Sequence, residues 1–305
     1  MIEARDLRKE YGGFPAVEGS TFSVGSGEVF GIIGPNGAGK TTTLKMLAGL
    51  IEPTSGSVSV AGYEAGESEM RHQLGFLPEE SPLYEEMTPR TYLHFFADLY
   101  DVPDDVAERR IHETLDELDL QHRDRQIGDM SKGMKRKVAI ARSLINDPDV
   151  LIYDEPASGL DPLTTNYIIE FTSQLAAEGK TIVFSAHNLF HVESICDRVA
   201  IMNDGEIVAR GGLDELQAEY GETVYHVHTT VEVPDSVAKN GRYVRTVETM
   251  SEVETTREAA QEAGGSVIDI RTEESSLEEV FLNVADGRDS RAQSGKSADG
   301  SSSEV

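Results

Sequence analysis

The sequence predicts an α/β chain: a parallel-sheet core with a mostly helical insert, followed by a small α+β appendage. Three observations lead there. Short, largely apolar runs, Glu28–Ile33 (EVFGII), Val150–Tyr153 (VLIY) and Thr181–Ser185 (TIVFS), have the length and composition of strands covered on both faces. Between the first two, apolar residues recur at helical spacing. After Gly221 the pattern changes to short alternating runs around one helical stretch.

In chain order, the Glu28–Ile33 strand runs straight into a glycine-rich turn, and a helix starts near Lys40. Three helices fill the middle: Pro89–Tyr100; Asp105–Leu118, with an apolar stripe of Val106, Ile111, Leu115 and Leu118; and Lys132–Ile145. Val150–Tyr153 and Thr181–Ser185 return to sheet. Arg198–Asn203 and Glu206–Arg210 form a hairpin turning at Asp204-Gly205, a favoured turn pair. In the appendage, Thr223–Thr230 and Val244–Val247 are strands and Ser251–Ala263 is a helix capped by Ser251. Ser266–Ile270 follows as a strand and Leu277–Val284 as a closing helix. The divisions are therefore 1–220, with a helical subdomain over about 84–147, then 221–285. The Ser/Gly/Asp-rich stretch 286–305 lacks apolar periodicity and is expected to be a disordered tail.

Composition removes several function classes. Asp and Glu number 55 against 27 Lys and Arg, a formal charge of −28 that disfavours nucleic acid and anionic lipid as partners. No apolar run is long enough to span a bilayer, and the opening MIEARDLRKEYGG has no secretory pattern. A single Cys196 excludes an internal disulfide and a Cys-rich zinc site, and fits a reducing compartment. The acids are spread along the chain, as in cytoplasmic proteins of salt-loving organisms, where salt screens self-repulsion. An ordinary acidic cytosolic protein is the alternative.

The chemistry concentrates in two motifs. Gly34-Pro35-Asn36-Gly37-Ala38-Gly39-Lys40-Thr41-Thr42 has the G-x-x-x-x-G-K-[ST] spacing, with a strand before it and a helix after. Glycines so placed let successive N–H groups turn inward around phosphate, and the helix offers its positive end to the same anion. Lys40 can then reach the β- and γ-phosphates, and Thr41 can hold Mg²⁺. The second motif is Asp154-Glu155 at the end of Val150–Tyr153, a pair of acids that needs a cation to neutralise it. Asp154 takes the metal side and Glu155 polarises the attacking water.

With these motifs, residues 1 to about 220 resemble the ATP-binding subunit of ATP-binding cassette (ABC) transporters. The resemblance implies a P-loop NTPase core with an antiparallel β part and a helical subdomain, ATP and Mg²⁺ as cofactors, and ATP hydrolysis. Further motifs follow in the family's order. Met130-Ser131-Lys132-Gly133-Met134-Lys135 occupies the signature position, which in the family caps the γ-phosphate of ATP held by the opposite subunit. Ser131 can donate to phosphate, Gly133 permits close approach and the helix end favours an anion. Taken alone, Ser131 is equally a plain N-cap. Ser158-Gly159-Leu160-Asp161 matches the D-loop, which contacts the partner subunit. His187 matches the switch histidine at the γ-phosphate. Tyr11 matches the aromatic that stacks on adenine, the alternative being a turn tyrosine packed on the core.

Two positions depart from the family pattern. Glu79 stands where a Gln usually contacts Mg²⁺ and water; its oxygens can still reach the metal but add negative charge. The signature reads SKGMK, so Lys132 brings a cation toward the transferring phosphoryl group and can offset Glu79 in an assembled site. Both features, and the appendage, resemble ABC ATPases that serve separate type-2 export permeases. The resemblance implies two partners: a second ATP-binding subunit, identical or related, and a membrane permease that holds the chain at the cytoplasmic face of the membrane. The permease would meet the surface Glu80–Tyr100, where Leu83, Tyr84, Met87, Tyr92, Phe95 and Phe96 are candidates and helical spacing places Phe95 and Phe96 in the core. The competing readings are a soluble ABC ATPase acting on ribosomes or DNA, which the charge disfavours, and a non-hydrolysing subunit, which Lys40, Asp154, Glu155 and His187 argue against.

Overall fold

Residues 1–239 and 241–284 are described by a computed structural model; the stretch 286–305, expected to be a tail, lies outside them. The chain divides into a first unit, Met1–Gly212, and a second that begins at Leu213. The first unit comprises β1 (Ile2–Tyr11), β2 (Phe14–Val24), β3 (Val29–Ile33), α1 (Lys40–Leu47), β4 (Ser55–Val60), β5 (Tyr63–Glu64), α2 (Ser68–His72) and β6 (Leu74–Leu77). It continues with α3 (Pro89–Leu99), α4 (Asp104–Glu117), α5 (Lys132–Leu144), β7 (Val150–Asp154), α6 (Pro162–Ala177), β8 (Thr181–Ala186), α7 (Leu189–Ile195), β9 (Arg198–Asn203) and β10 (Glu206–Gly212).

Two sheets organise it. The apolar runs become the centre of a six-stranded sheet of order β10-β9-β3-β8-β7-β6, parallel except for the edge strand β10. Every residue of β3, β7 and β8 is buried, as their unbroken apolar character requires. The antiparallel sheet β2-β1-β4-β5 packs against it through one shared core, in which Phe22 stacks on Phe30 with ring centroids 5.4 Å apart. The register of β1 with β2 shifts between Ala4 and Leu7 and twice more beyond, so its buried positions do not keep a strict period of two.

The helical insert corrects two assignments. On α3 the inward residues are Pro89, Tyr92, Leu93 and Ala97, whereas Phe95 is 38% exposed and only Phe96 is half-buried. Thr88 starts that helix through a reciprocal cap with Thr91, and the resulting phase buries Tyr92 rather than Phe95. On α4, Ala107 takes the buried place expected for Val106, while Ile111, Leu115 and Leu118 are buried as expected.

The second unit contains α8 (Leu213–Tyr220), β11 (Thr223–Thr229), β12 (Val237–Lys239), β13 (Arg242–Val247), α9 (Met250–Glu262) and β14 (Val267–Glu274), and residues 277–284 are helical. Its sheet, β12-β13-β11-β14, is antiparallel, with Val253 of α9 packed on Val227 and Val247. The boundary precedes α8, which the sequence reading places in the first unit. Gln217 donates to the Ser275 carbonyl and Asn283 to that of Tyr220, tying α8 to its own unit. The α9 cap is Thr249 rather than Ser251: Thr249 and Glu252 form a reciprocal capping box.

Candidate active site

Motifs far apart in the chain meet because of strand order. β3, β8, β7 and β6 are consecutive parallel neighbours, so their C-terminal ends lie along one sheet edge, where ligands of such sheets bind. The register sets Ile33 beside Ala186, Asp154 beside Ser185 and Leu77 beside Tyr153. The residues that follow those ends are Gly34, His187, Glu155 and Pro78-Glu79. Of these, His187, Glu155 and Glu79 line a cleft of about 490 Å³ together with Ala16, the run Asn36–Thr42 and Ser158.

The loop of residues 34–39 is built for an anion. Gly39 has φ +97°, and a Cβ there would fall 2.5 Å from the Ala16 carbonyl oxygen, so the turn into α1 admits no side chain. Gly37, at φ +86°, faces open space. Helix α1 has no side-chain cap and no acid in its first turn, which leaves N–H groups unclaimed beside the cleft. Lys40 is buried, its Nζ donating to the carbonyls of Gly34 (2.8 Å) and Pro35 (3.2 Å). A phosphate in the cleft offers that ammonium a charged acceptor in place of two neutral ones.

The acids form a connected set. Asp154 is 1% exposed, and its Oδ1 accepts from Ser185 Oγ at 2.6 Å. Ser185 Oγ also accepts the Glu155 N–H at 3.0 Å. Glu155 sits at φ +48°, a left-handed conformation costly for a residue with a side chain. Its Oε2 lies 2.5 Å from Nδ1 of His187, which comes from the adjacent strand end. Thr41 and Glu79 line the cleft, and Asp154 is the buried residue immediately before the lining residue Glu155. Among the described residues no group of three His, Cys, Asp or Glu could hold a metal alone. A single buried carboxylate with a hydroxyl and a second carboxylate nearby fits Mg²⁺, which shares its shell with substrate phosphates and water.

Arg136 belongs to this site and is absent from the sequence reading. It is buried on α5 and donates to five main-chain carbonyls and one hydroxyl around the acids. Burial pulls its pKa down to about 10, against the opposing pull of Tyr153, Asp154 and Glu79. The available signal was a cation four residues before Ile140, on the buried face of an amphipathic helix.

The remaining motif residues do not line that cleft. Ser131 caps α5 by accepting the Met134 N–H at 3.2 Å, which leaves its hydroxyl hydrogen free to be donated. Gly133 faces Thr164, and Lys132 places its ammonium over Gly159. Asp161 caps α6, accepting from Thr164 N–H (3.0 Å) and Oγ1 (2.7 Å), and these bonds hold its carboxyl below the usual range. Tyr11 is 49% exposed at the end of β1, with Lys9 Nζ 5.3 Å from its ring centroid, so it is not packed in the core.

A second opening, of about 410 Å³, is apolar and includes Leu50, Arg71, Phe76, Phe96, Leu99 and Tyr100 in its lining. Of the residues singled out in Glu80–Tyr100, only Phe96 lines it. Tyr92 is core, and Tyr84 meets Phe95 edge-on outside it, with ring centroids 5.8 Å apart.

The chain is similar to several known proteins. Residues 17–158 match the family described as ABC transporter. An uncharacterised ABC transporter ATP-binding protein of Nostoc sp. is 43% identical over 237 residues, 74% of this chain and 70% of the relative. Nod factor export ATP-binding protein I of Burkholderia orbicola is 38% identical over 232 residues, 74% of this chain and 76% of the relative. Among solved structures, an ATP-binding subunit of an ABC transporter superposes with a TM-score of 0.67 at 36% identity, covering 72% of this chain and 93% of that one.

Proposed function

Because the chain belongs to the ABC transporter ATP-binding family, and is an ATPase that uses ATP and Mg²⁺, we propose that two copies close on two nucleotides and so drive export through a separate membrane permease. The observation that carries this reading is the division of the motifs. Lys40, Glu79, Glu155 and His187 converge on one cleft, whereas Ser131 and Gly133 stand outside it, where a second copy can receive them.

In this reading the N–H groups of residues 36–41 and the Lys40 ammonium hold the phosphates. Thr41, Glu79 and Asp154 would hold Mg²⁺, which when bound would neutralise charge on those phosphates. Glu155 orients and polarises the attacking water, and the His187 ring beside its Oε2 fixes that carboxylate and reaches toward the γ-phosphate. Ser131 of the partner copy donates to the same phosphate, and the N-terminal end of α5 adds its positive field. Tyr11 stacks on the base. Closure is the power step, and hydrolysis releases the two copies.

The permease occupies the apolar groove that includes Leu50, Phe96 and Leu99, and holds the chain at the cytoplasmic face. Among the described residues no helix is long and apolar enough to cross a membrane itself. The export direction follows the Nod factor export relative. Glu155→Gln tests the core of the reading: with ATP it should accumulate as a dimer on size exclusion while hydrolysis falls. A variant that turns over normally and stays monomeric in ATP contradicts it.

A further inference from the structure

Arg136 holds more of the active site together than a packing residue would. Its Nε donates to the Pro156 carbonyl (2.7 Å). Nη1 donates to the carbonyls of Pro78 (2.7 Å) and Glu79 (3.0 Å) and to Ser81 Oγ (3.2 Å). Nη2 donates to the carbonyls of Asp154 (3.1 Å) and Glu155 (2.8 Å). No side-chain carboxylate is among its hydrogen-bond acceptors, so the guanidinium is satisfied by main-chain dipoles alone apart from one hydroxyl.

Those carbonyls have a common origin. Residues 154–156 leave β7 at the point where Glu155 turns left-handed, and residues 78–79 leave β6 alongside. Beyond Asp154 and Leu77 the strand pairing ends, and a planar fork with five donors binds both segments at once, alongside the Ser158 N–H on the Glu155 carbonyl and Ser81 Oγ on that of Pro78. The two loops so bridged carry the Glu155 and Glu79 side chains that line the nucleotide cleft. The bridging residue sits just over one turn from Ser131, on the helix that Ser131 caps. Lys132, one turn before Arg136 on the same face, lies over Gly159 further along the same segment. A buried guanidinium with no carboxylate among its hydrogen-bond acceptors is an expensive way to pack a helix, and an apolar side chain would do that at lower cost.

We propose that Arg136 is a positioning residue that makes the placement of Glu155 and Glu79 depend on the position of α5. When Ser131 engages the nucleotide across the dimer, the shift of α5 is carried by the guanidinium to the Glu155 carbonyl and re-aims that carboxylate at the attacking water. It holds only if Glu155 acts on that water, the reading given under Proposed function.

A double-mutant cycle on the full-length chain, read by single-turnover and steady-state ATP hydrolysis, tests it. Arg136→Gln should lower kcat by about 10- to 100-fold while KM for ATP moves less than about threefold. In a Glu155→Gln background it should lower the residual rate no further, because the group it positions is already gone. Losses that multiply independently, or a raised KM at unchanged kcat, overturn the proposal. If Glu155→Gln alone leaves hydrolysis intact, the assignment of Glu155 itself fails, a result separable from the other two. Should Arg136→Gln not melt cooperatively, Arg136→Lys, which keeps the charge but not the fork, is judged by the same criteria. Failure of both variants to fold would make Arg136 structural only and overturn the proposal.

Discussion

Ser185 shows how much of the site rests on one hydroxyl. It is fully buried, donates to Asp154 Oδ1 and accepts from the Glu155 N–H, so both acidic residues are registered to β8 through one oxygen. Ser185→Ala leaves a buried carboxylate oxygen and an N–H without a partner, and should lower stability by about 1–3 kcal/mol in urea unfolding. An unchanged midpoint would mean that neither bond contributes. At this scale the sequence declared Lys40, Asp154, Glu155 and His187, because their motifs are local and fixed in spacing. Ser185 and Arg136 were illegible as site residues. Each acts on a neighbour that only strand pairing or helix packing brings near, 30 residues away for Ser185 and up to 58 for Arg136.

Among elements, the buried strands β3, β7 and β8 were readable because they are apolar at consecutive positions. The edges were not. The shifts in β1 interrupt its alternation, and β6 is only four residues long. The phase of α3 also escaped the pattern: Tyr92, Phe95 and Phe96 on the helix, with Tyr100 just after it, make its apolar stripe too wide to fix a single inward face. The resulting rotation leaves Leu99 61% exposed at the mouth of the apolar groove. If the groove receives the permease proposed above, Leu99→Glu should leave the ATPase activity and melting of the isolated chain unchanged while abolishing co-purification with that permease. Retained co-purification would move the docking surface elsewhere.

At the scale of the whole molecule, a chain of net charge −28 binds a polyanion. The attraction must be local, from Lys40, the uncapped start of α1 and the inward N–H groups, since the average field opposes it. The same excess of acids predicts a salt response: the urea midpoint should rise from low to molar KCl as self-repulsion is screened. A midpoint indifferent to salt would remove the link between acidity and a saline interior. The division of labour between two copies is tested most directly by mixing two inactive chains, Lys40→Ala and Ser131→Ala. If Ser131 serves the nucleotide of the opposite copy, half of the randomly paired dimers contain one intact composite site, and turnover should return to about a quarter of the wild-type level. A mixture as inactive as its components would place Ser131 and Lys40 on the same nucleotide and contradict the account.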